Sequence, residues 1–320
     1  MKTIISTDIE QAKYFLDKGE VVAIPTETVY GLAGNALSDS TLLKIYKTKN
    51  RPSFDPLIVH FDSIYKTEKF VQSIPEIIKK LAERFSPGPL TYLLNKRKII
   101  SDIVTSGLPK VAIRFPNHPL TIKLLSTLDF PVAAPSANLF GKVSPTSPQH
   151  VYEQLNGKIP FILDGGKCNV GIESTIVSWE KDNLIIHRLG GVSVEDIITL
   201  YPKIKIISNK NQEPDSPGQL KSHYATKTPL FFDNVEEILL KRKSKNIGLI
   251  AFNKKHTAIK SENQCILSPE GSLDEAAKKL FHSMHELDER GFDFIIAEKF
   301  PDNGLGRAIN DRLKKASVNF

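Results

Sequence analysis

The chain has 320 residues, 40% hydrophobic and 25% charged, the composition of a soluble globular protein with the length for two domains and their cores. No apolar run approaches the ~20 residues of a membrane-spanning helix, and the N-terminus turns acidic at Asp8 and Glu10 before a signal-peptide core develops, so a helical membrane protein is excluded and a cytoplasmic one expected. The +7 formal charge lies almost wholly before residue 228, because residues 228–320 carry 15 Lys+Arg against 14 Asp+Glu; it reads either as a solvated surface or as an anion-binding one.

In chain order, residues 21–24 read as a strand, and Ser38 as the cap of a helix through Leu42, Leu43, Ile45 and Tyr46. Residues 57–61 form a predicted buried strand, and Ile74, Ile77, Ile78, Leu81 and Phe85 carry the apolar stripe of an amphipathic helix. Further strands are predicted at 90–94, 111–115, 132–134, 161–163, 175–179 and 184–187, with helices at 120–128 and 148–155. The pattern is that of an α/β domain with a large mixed sheet, ending near residue 203. Periodicity fails over 204–228, which holds the polar, turn-rich stretch 209–218 and is assigned as a linker. Strands at 229–232, 247–252 and 292–297, with helices at 235–241, 273–290 and 306–315, predict a smaller three-layer, Rossmann-like α/β domain over 229–320.

Candidate chemistry gathers in the first domain. Ile24-Pro25-Thr26-Glu27-Thr28-Val29-Tyr30-Gly31 reads either as a plain strand exit or as a ligand-facing turn, since open α/β sheets bind ligands at strand ends. Lys49 and Arg51 suit a helix C-terminus, and equally supply two charges for a polyphosphate. His60, taken alone, is a hydrogen-bonded core histidine; Arg114, inside an apolar strand, must be paired if buried, and its fork suits a carboxylate or phosphate. Ser136 and Asn138 offer a hydroxyl and an amide beside small residues, as turns do, while Ser144 reads either as part of the turn that follows or equally as a cap for the helix near 148. Gly171-Ile172-Glu173-Ser174-Thr175 is either a tight hairpin or a phosphate-facing loop, and Arg188 precedes Leu189-Gly190-Gly191 at a strand end.

Cys168 and Cys265 stand alone, without the spacing of a disulfide framework or a zinc site. The sequence contains no Gly-x-x-x-x-Gly-Lys-Ser/Thr, Gly-x-Gly-x-x-Gly, Gly-x-Ser-x-Gly or His-Glu-x-x-His motif. In order, however, Pro25-Thr-Glu-Thr-Val-Tyr-Gly-Leu32, Lys49-x-Arg-Pro52, Pro56-Leu-Ile-Val-His60, Ser86-Pro-Gly-Pro-Leu-Thr91, Arg114-Phe-Pro116, Ala134-Pro-Ser-Ala-Asn138, Glu173-Ser-Thr-Ile-Val177 and Arg188-Leu-Gly190 resemble the YrdC-like family. With the linker Ser216-Pro-Gly-Gln-Leu-Lys-Ser-His-Tyr-Ala225, the resemblance extends to the two-domain threonylcarbamoyl-AMP synthases and covers essentially the whole chain.

That resemblance implies a YrdC-like twisted mixed sheet with a large basic cavity over 1–203, a linker serving as active-site lid over 204–228 and a Rossmann-like accessory domain over 229–320. It implies a nucleotidyltransferase that forms L-threonylcarbamoyladenylate and pyrophosphate from ATP, L-threonine and bicarbonate, with Mg2+ arriving on ATP and no metal ligand from the protein. The product would pass to separate tRNA threonylcarbamoyl transferase proteins. Matching position by position, Thr28, His60, Arg114, Ser174 and the Ala134 backbone fall to threonine. Lys49, Arg51, Ser136, Asn138, Ser144 and Arg188 fall to ATP, with Lys49 and Arg51 stabilising charge in the reaction and no general base assigned. His223 or Tyr224 is expected at the active site as part of the lid. The chain departs from the family in Ser53-Phe54-Asp55, where Ser-Asp-Asn is common, placing a possible negative charge near ATP, and in lacking the tyrosine that many relatives place before the linker histidine. The competing class is an RNA-binding module using the same basic concavity, for which the chain lacks a basic arm and stacking aromatics.

Overall fold

The computed structural model describes residues 2–206, 223–242 and 246–318. Its larger sheet is built from β1 (Ile4–Ser6), β2 (Val22–Ile24), β3 (Gly31–Asn35), β4 (Ile58–His60), β5 (Leu90–Asn95), β6 (Lys110–Arg114), β7 (Val132–Ala133), β8 (Phe161–Leu163), β9 (Thr175–Glu180), β10 (Asn183–Arg188) and β11 (Ile204–Ile206). The eleven strands run in the order β1-β8-β2-β3-β7-β4-β6-β5-β9-β10-β11. Pairing is mixed: β4 and β6 are parallel, whereas β7 is antiparallel to both β3 and β4.

Helices α1 (Ile9–Asp17), α2 (Asp39–Lys49), α3 (Glu76–Phe85), α4 (Asp102–Thr105), α5 (Pro119–Thr127), α6 (Pro148–Leu155) and α7 (Val194–Leu200) accompany this sheet. Leu42 and Ile45 of α2, Ile78 and Leu81 of α3 and Val151 of α6 pack with Val59, Tyr92 and Ile113. Ala12 and Leu16 of α1 and Leu124 of α5 pack with Val22, Ile24 and Phe161 in a separate cluster. Apolar side chains at alternate strand positions thus meet helical stripes, and their removal from water is the main force holding the layers together.

The second sheet contains β12 (Leu230–Phe232), β13 (Ile247–Ala251), β14 (Gln264–Ile266) and β15 (Phe294–Ala297), all parallel, in the order β12-β15-β13-β14. Helix α8 (Val235–Lys241) packs with one set of strand side chains, and α9 (Leu273–Asp288) and α10 (Gly306–Ala316) with the other, giving three layers. Val29, Val143 and Ile172 of the N-terminal part join the same apolar cluster as Leu280, Phe281, Met284 and Leu313, so the two sheets' units share a buried interface.

Several elements are silent in the hydrophobic pattern. Residues 31–35 carry no strand prediction, Gly31 ending the segment read as a strand exit or turn, yet β3 pairs with β2 and β7. Its glycines are what allow helix and strand to approach: a Cβ on Gly34 would lie 2.6 Å from Thr41 Cγ2 of α2. β1, α1, α4, α7 and β14 are likewise additions to the predicted elements. Residues 204–206, assigned from sequence to the linker, continue the large sheet as β11, in parallel register with β10. Linker residues 207–222 lie outside the described residues.

Candidate functional site

The ends of β2, β4, β6 and β10 and the chain after β7 surround a cavity of about 50 Å³, lined among others by Thr26, Arg51, His60, Arg114, Ala134, Ser136, Glu173, Arg188, His223 and Tyr224. It is basic, as expected, but in this conformation its free space is that of one or two waters rather than of a nucleotide. The linker residues His223 and Tyr224 form part of its wall.

Strand register assembles one half of the site. Parallel pairing of β4 with β6 sets His60 beside Arg114, and antiparallel pairing of β5 with β6 sets Thr91 on its other side. Arg114 Nη2 donates to Glu27 Oε1 and Thr28 Oγ1, both at 2.7 Å, while Glu27 Oε2 accepts the Asn117 N–H at 2.9 Å. Arg114 Nε is buried and has no hydrogen-bond partner among the described residues. His60 Nδ1 lies 3.1 Å from the Ile58 carbonyl, which only accepts; Nδ1 therefore carries the proton and Nε2 is left as an acceptor. Burial, aided by Arg114, pushes the His60 pKa down to about 3, so the ring is neutral at physiological pH. Ser174 Oγ lies 2.7 Å from Thr91 Oγ1 and accepts from Arg188 Nη2 at 3.0 Å. The Ala134 N–H is engaged by the Ile58 carbonyl at 2.9 Å.

The other half depends on a chain reversal. Asn50, in the left-handed region at φ 53°, caps α2 and separates Lys49 from Arg51; asparagine tolerates that conformation better than most residues. Lys49 is fully buried and donates to the carbonyls of Ser136 and Asn138 at 2.5 and 2.6 Å. It braces the loop that carries the serine and the amide, and it is not among the residues lining the cavity. Burial and Arg51 press its pKa well down, whereas Asp55 and the two carbonyl acceptors favour the ammonium. Asn138 donates to the carbonyls of Leu139 and Lys142, both at 2.8 Å, and its Oδ1 is buried without a hydrogen-bond partner. Ser144, open in sequence to a turn or to a cap for α6, donates to Glu173 Oε1 at 2.6 Å; Ser147 is the cap.

Arg51 reaches the cavity while donating to the carbonyls of Asp55 and Pro56 at 3.0 and 2.8 Å. Its Nη2 also lies 2.9 Å from Asp55 Oδ2, yet that oxygen has no aligned hydrogen bond, so this contact is mainly charge on charge. Burial raises the Asp55 pKa, opposed by Arg51, Lys49 and Arg188. Asp55 therefore offsets positive potential where the sequence pattern places ATP. Asp55→Asn is expected to tighten ATP binding by ~5-fold, the equivalent of about 1 kcal/mol of relieved repulsion. Calorimetry finding weaker binding instead would make Asp55 a support for Arg51.

His223 and Tyr224 are held from the accessory side. The His223 N–H donates to the Lys315 carbonyl at 3.2 Å, and Tyr224 stacks on Phe281 with ring centroids 5.3 Å apart. Burial pushes the His223 pKa down to about 3. Two residues without an assigned role in the sequence reading stand out here: Glu27, paired with Arg114, and Glu173, which lines the cavity and is paired with Arg312 of α10 at 3.0 Å. The signal for Arg312 was its place in the apolar stripe of Ala308, Ile309, Leu313 and Ala316. Among the described residues, no group of three or more His, Cys, Asp or Glu side chains is placed to hold a metal ion, and the cavity's carboxylate, Glu173, is already engaged by Ser144 and Arg312.

Residues 14–190 match the Sua5–YciO–YrdC family model, described as telomere recombination, and residues 192–318 match the threonylcarbamoyl-AMP synthase C-terminal domain. The chain belongs to the threonylcarbamoyl-AMP synthase family. It is 40% identical over 320 residues to the Bacillus subtilis threonylcarbamoyl-AMP synthase, covering 97% of this chain and 92% of that one. Identity to the Pyrococcus abyssi synthase is 36% over 324 residues, covering 97% and 94%. The crystal structure of P. abyssi Sua5 complexed with L-threonine superposes with a TM-score of 0.91 at 35% identity, over 99% of this chain and 98% of that one. A HypF structure, at 22% identity and a TM-score of 0.51, shares the fold of the larger sheet. As a member of the synthase family the chain is a nucleotidyl-transferring enzyme of tRNA threonylcarbamoyladenosine modification.

Proposed function

We propose that this chain condenses L-threonine with bicarbonate and transfers AMP from ATP to the resulting carbamate, releasing pyrophosphate and water. The observation that carries this reading is the convergence of three guanidinium groups, Arg51, Arg114 and Arg188, on one buried cavity to whose lining, among the described residues, Glu173 alone contributes a carboxylate. Such a cavity complements an amino-acid carboxylate and a polyphosphate.

Arg114, held by Glu27 and Thr28 with its Nε directed to no acceptor among the described residues, takes the threonine carboxylate. Neutral His60 supplies an acceptor, and Thr28, Ser174 and the Ala134 backbone complete the threonine side. Arg51, Arg188, Ser136, Asn138 and Ser144 take the nucleotide, with Lys49 holding the loop that presents Ser136 and Asn138 and adding positive potential. The threonine amine attacks the bicarbonate carbon, water leaves, and a carbamate oxygen attacks the α-phosphorus as the bond to pyrophosphate breaks. Fixed cations close to the departing phosphates stabilise the charge that develops there. No general base is assigned: burial lowers the pKa of both cavity histidines, His60 and His223, to about 3, which leaves them weak bases at physiological pH. Among the described residues, none form a dedicated metal site. Mg2+ enters as the counter-ion of ATP, bound to phosphate and water.

In this reading the catalytic unit runs through β11 to residue 206, the linker from there to residue 228 is a lid whose His223 and Tyr224 must withdraw to admit ATP, and 229–320 anchor that lid. The adenylate passes in the cytoplasm to separate tRNA threonylcarbamoyl transferase proteins. Purified protein given ATP, Mg2+, bicarbonate and labelled threonine should release pyrophosphate and a labelled adenylate. Failure to form both, beside an active relative, rejects the assignment; salt-dependent RNA affinity without turnover would point to a binding module.

A further inference from the structure

Arg312 sits near the C-terminal end of α10, yet its guanidinium is wholly buried against the other unit. Nε donates to Glu173 Oε2 at 3.0 Å, Nη2 to the Leu189 carbonyl at 2.7 Å and Nη1 to Asp311 Oδ2 at 2.7 Å. The guanidinium also lies 5.6 Å from the centre of the Tyr224 ring. Its two long-range partners belong to segments locked together at the cavity. A Cβ on Gly190 would fall 2.3 Å from the Glu173 carbonyl oxygen, and the Gly191 N–H donates to that carbonyl at 2.9 Å. Glu173 in turn accepts the Ser144 hydroxyl, and Leu189 directly follows Arg188.

We propose that Arg312 is a positioning residue for adenylyl transfer: through Glu173 and the Leu189 carbonyl it sets the Ser144 hydroxyl and the Arg188 side chain at the nucleotide. This rests on the assignment of Ser144 and Arg188 to ATP. Arg312 is not among the cavity-lining residues and touches no reacting atom. It keeps Glu173 an anion in a buried place, where an unpaired carboxylate would take up a proton. Burial opposes the Glu173 charge, but Arg312, Arg188 and Ser144 together outweigh it and hold the pKa at about 2. The ionised carboxylate commits the Ser144 proton to itself and leaves the hydroxyl's lone pairs for a donor. The accessory unit thereby supplies part of the active site, beyond anchoring the linker.

The test uses the full-length protein with Arg312→Lys, Arg312→Met, Glu173→Gln and the double variant Arg312→Met/Glu173→Gln, the last removing both buried charges so that folding is retained if either single variant is unstable. Arg312→Lys keeps the charge and loses the fork, and is expected to lower kcat/KM for ATP by ~30-fold while the threonine KM moves by less than ~3-fold. Glu173, ionised throughout, contributes no pH dependence to the wild-type ATP KM from about pH 5.5 to 8, so each variant is read as its ratio to wild type at the same pH, which cancels the titration of ATP and bicarbonate themselves. Removing Arg312 withdraws a group that lowers the Glu173 pKa, so in Arg312→Met the carboxyl protonates at higher pH and the ATP KM should rise as pH falls; the double variant should lose that limb. A folded Arg312→Lys or double variant with wild-type ATP kinetics, or an equal loss for both substrates with no pH limb in Arg312→Met, overturns the proposal. If the wild-type chain itself makes no adenylate, the functional assignment fails instead.

Discussion

Replacing Arg114 by alanine is expected to weaken threonine binding by ~100-fold or more, about 3 kcal/mol, while changing ATP binding only several-fold. Among the described residues, the guanidinium is the one group in the threonine half with both fixed charge and an unspent buried donor, Nε. It is aimed by three strands, through His60 on β4 and Thr91 on β5, and by the ion pair to Glu27. The same substitution leaves Glu27 buried beside no cation, a change that typically costs ~3–5 kcal/mol of stability. Thermal unfolding must therefore accompany calorimetry with each substrate. Arg114→Lys separates the two effects: the charge near Glu27 is kept and the planar fork is lost, so stability should largely recover and threonine affinity should not. A variant that loses ATP binding but retains threonine would reverse the assignment of the two halves.

Lys49→Met is expected to weaken ATP binding by a comparable ~100-fold with a smaller effect on threonine. Two causes combine. The Ser136 and Asn138 carbonyls lose their shared donor, and an acceptor left unpaired in the interior costs ~1–3 kcal/mol. The loop presenting the serine and the amide then relaxes, and the phosphates lose a nearby positive charge. Methionine fills most of the volume without adding a new charge, so the protein should fold with reduced thermal stability. Nucleotide affinity measured by calorimetry decides the matter: wild-type affinity in the folded variant would mean that Lys49 serves the fold alone. Arg51→Met gives the contrast, because Arg51 lines the cavity and Lys49 does not. Its loss should act on the phosphates directly and should leave Ser136 and Asn138 in place.

Much of this arrangement was legible in the chain. Ser38 capping α2, the stripe of α3 and the strand at 161–163 follow from local periods and caps, which need no knowledge of distant residues. The ordered motifs named Arg51, Arg114, Arg188, His60 and Ser136, which the fold brings to one cavity, and also Lys49, Thr28, Asn138, Ser144 and Ser174, which are not among its lining residues. Of the two local readings open for Ser144, turn residue or helix cap, the cap falls to Ser147, and the partner that Ser144 does bind, Glu173, lies 29 residues away, beyond the reach of any local signal. β3 was not predicted, because glycine has little strand propensity of its own; it is a strand through its pairing with β2 and β7, with Gly34 packed close to Thr41.

The sequence by itself determined the alternation of strands and helices, the absence of a long apolar helix and the family, because these rest on composition, local period and ordered short motifs. Tertiary structure decided the division of labour. Lys49 and Arg51 look alike as two cations two positions apart, but the left-handed turn at Asn50 sends one to backbone carbonyls and the other to the cavity. Arg312 and Glu173 are 139 residues apart, and their pairing comes from the docking of two units on a shared apolar cluster. Hydrophobic period is a local property, whereas the partner of a buried charge is chosen by whichever opposite charge the packed fold leaves within reach.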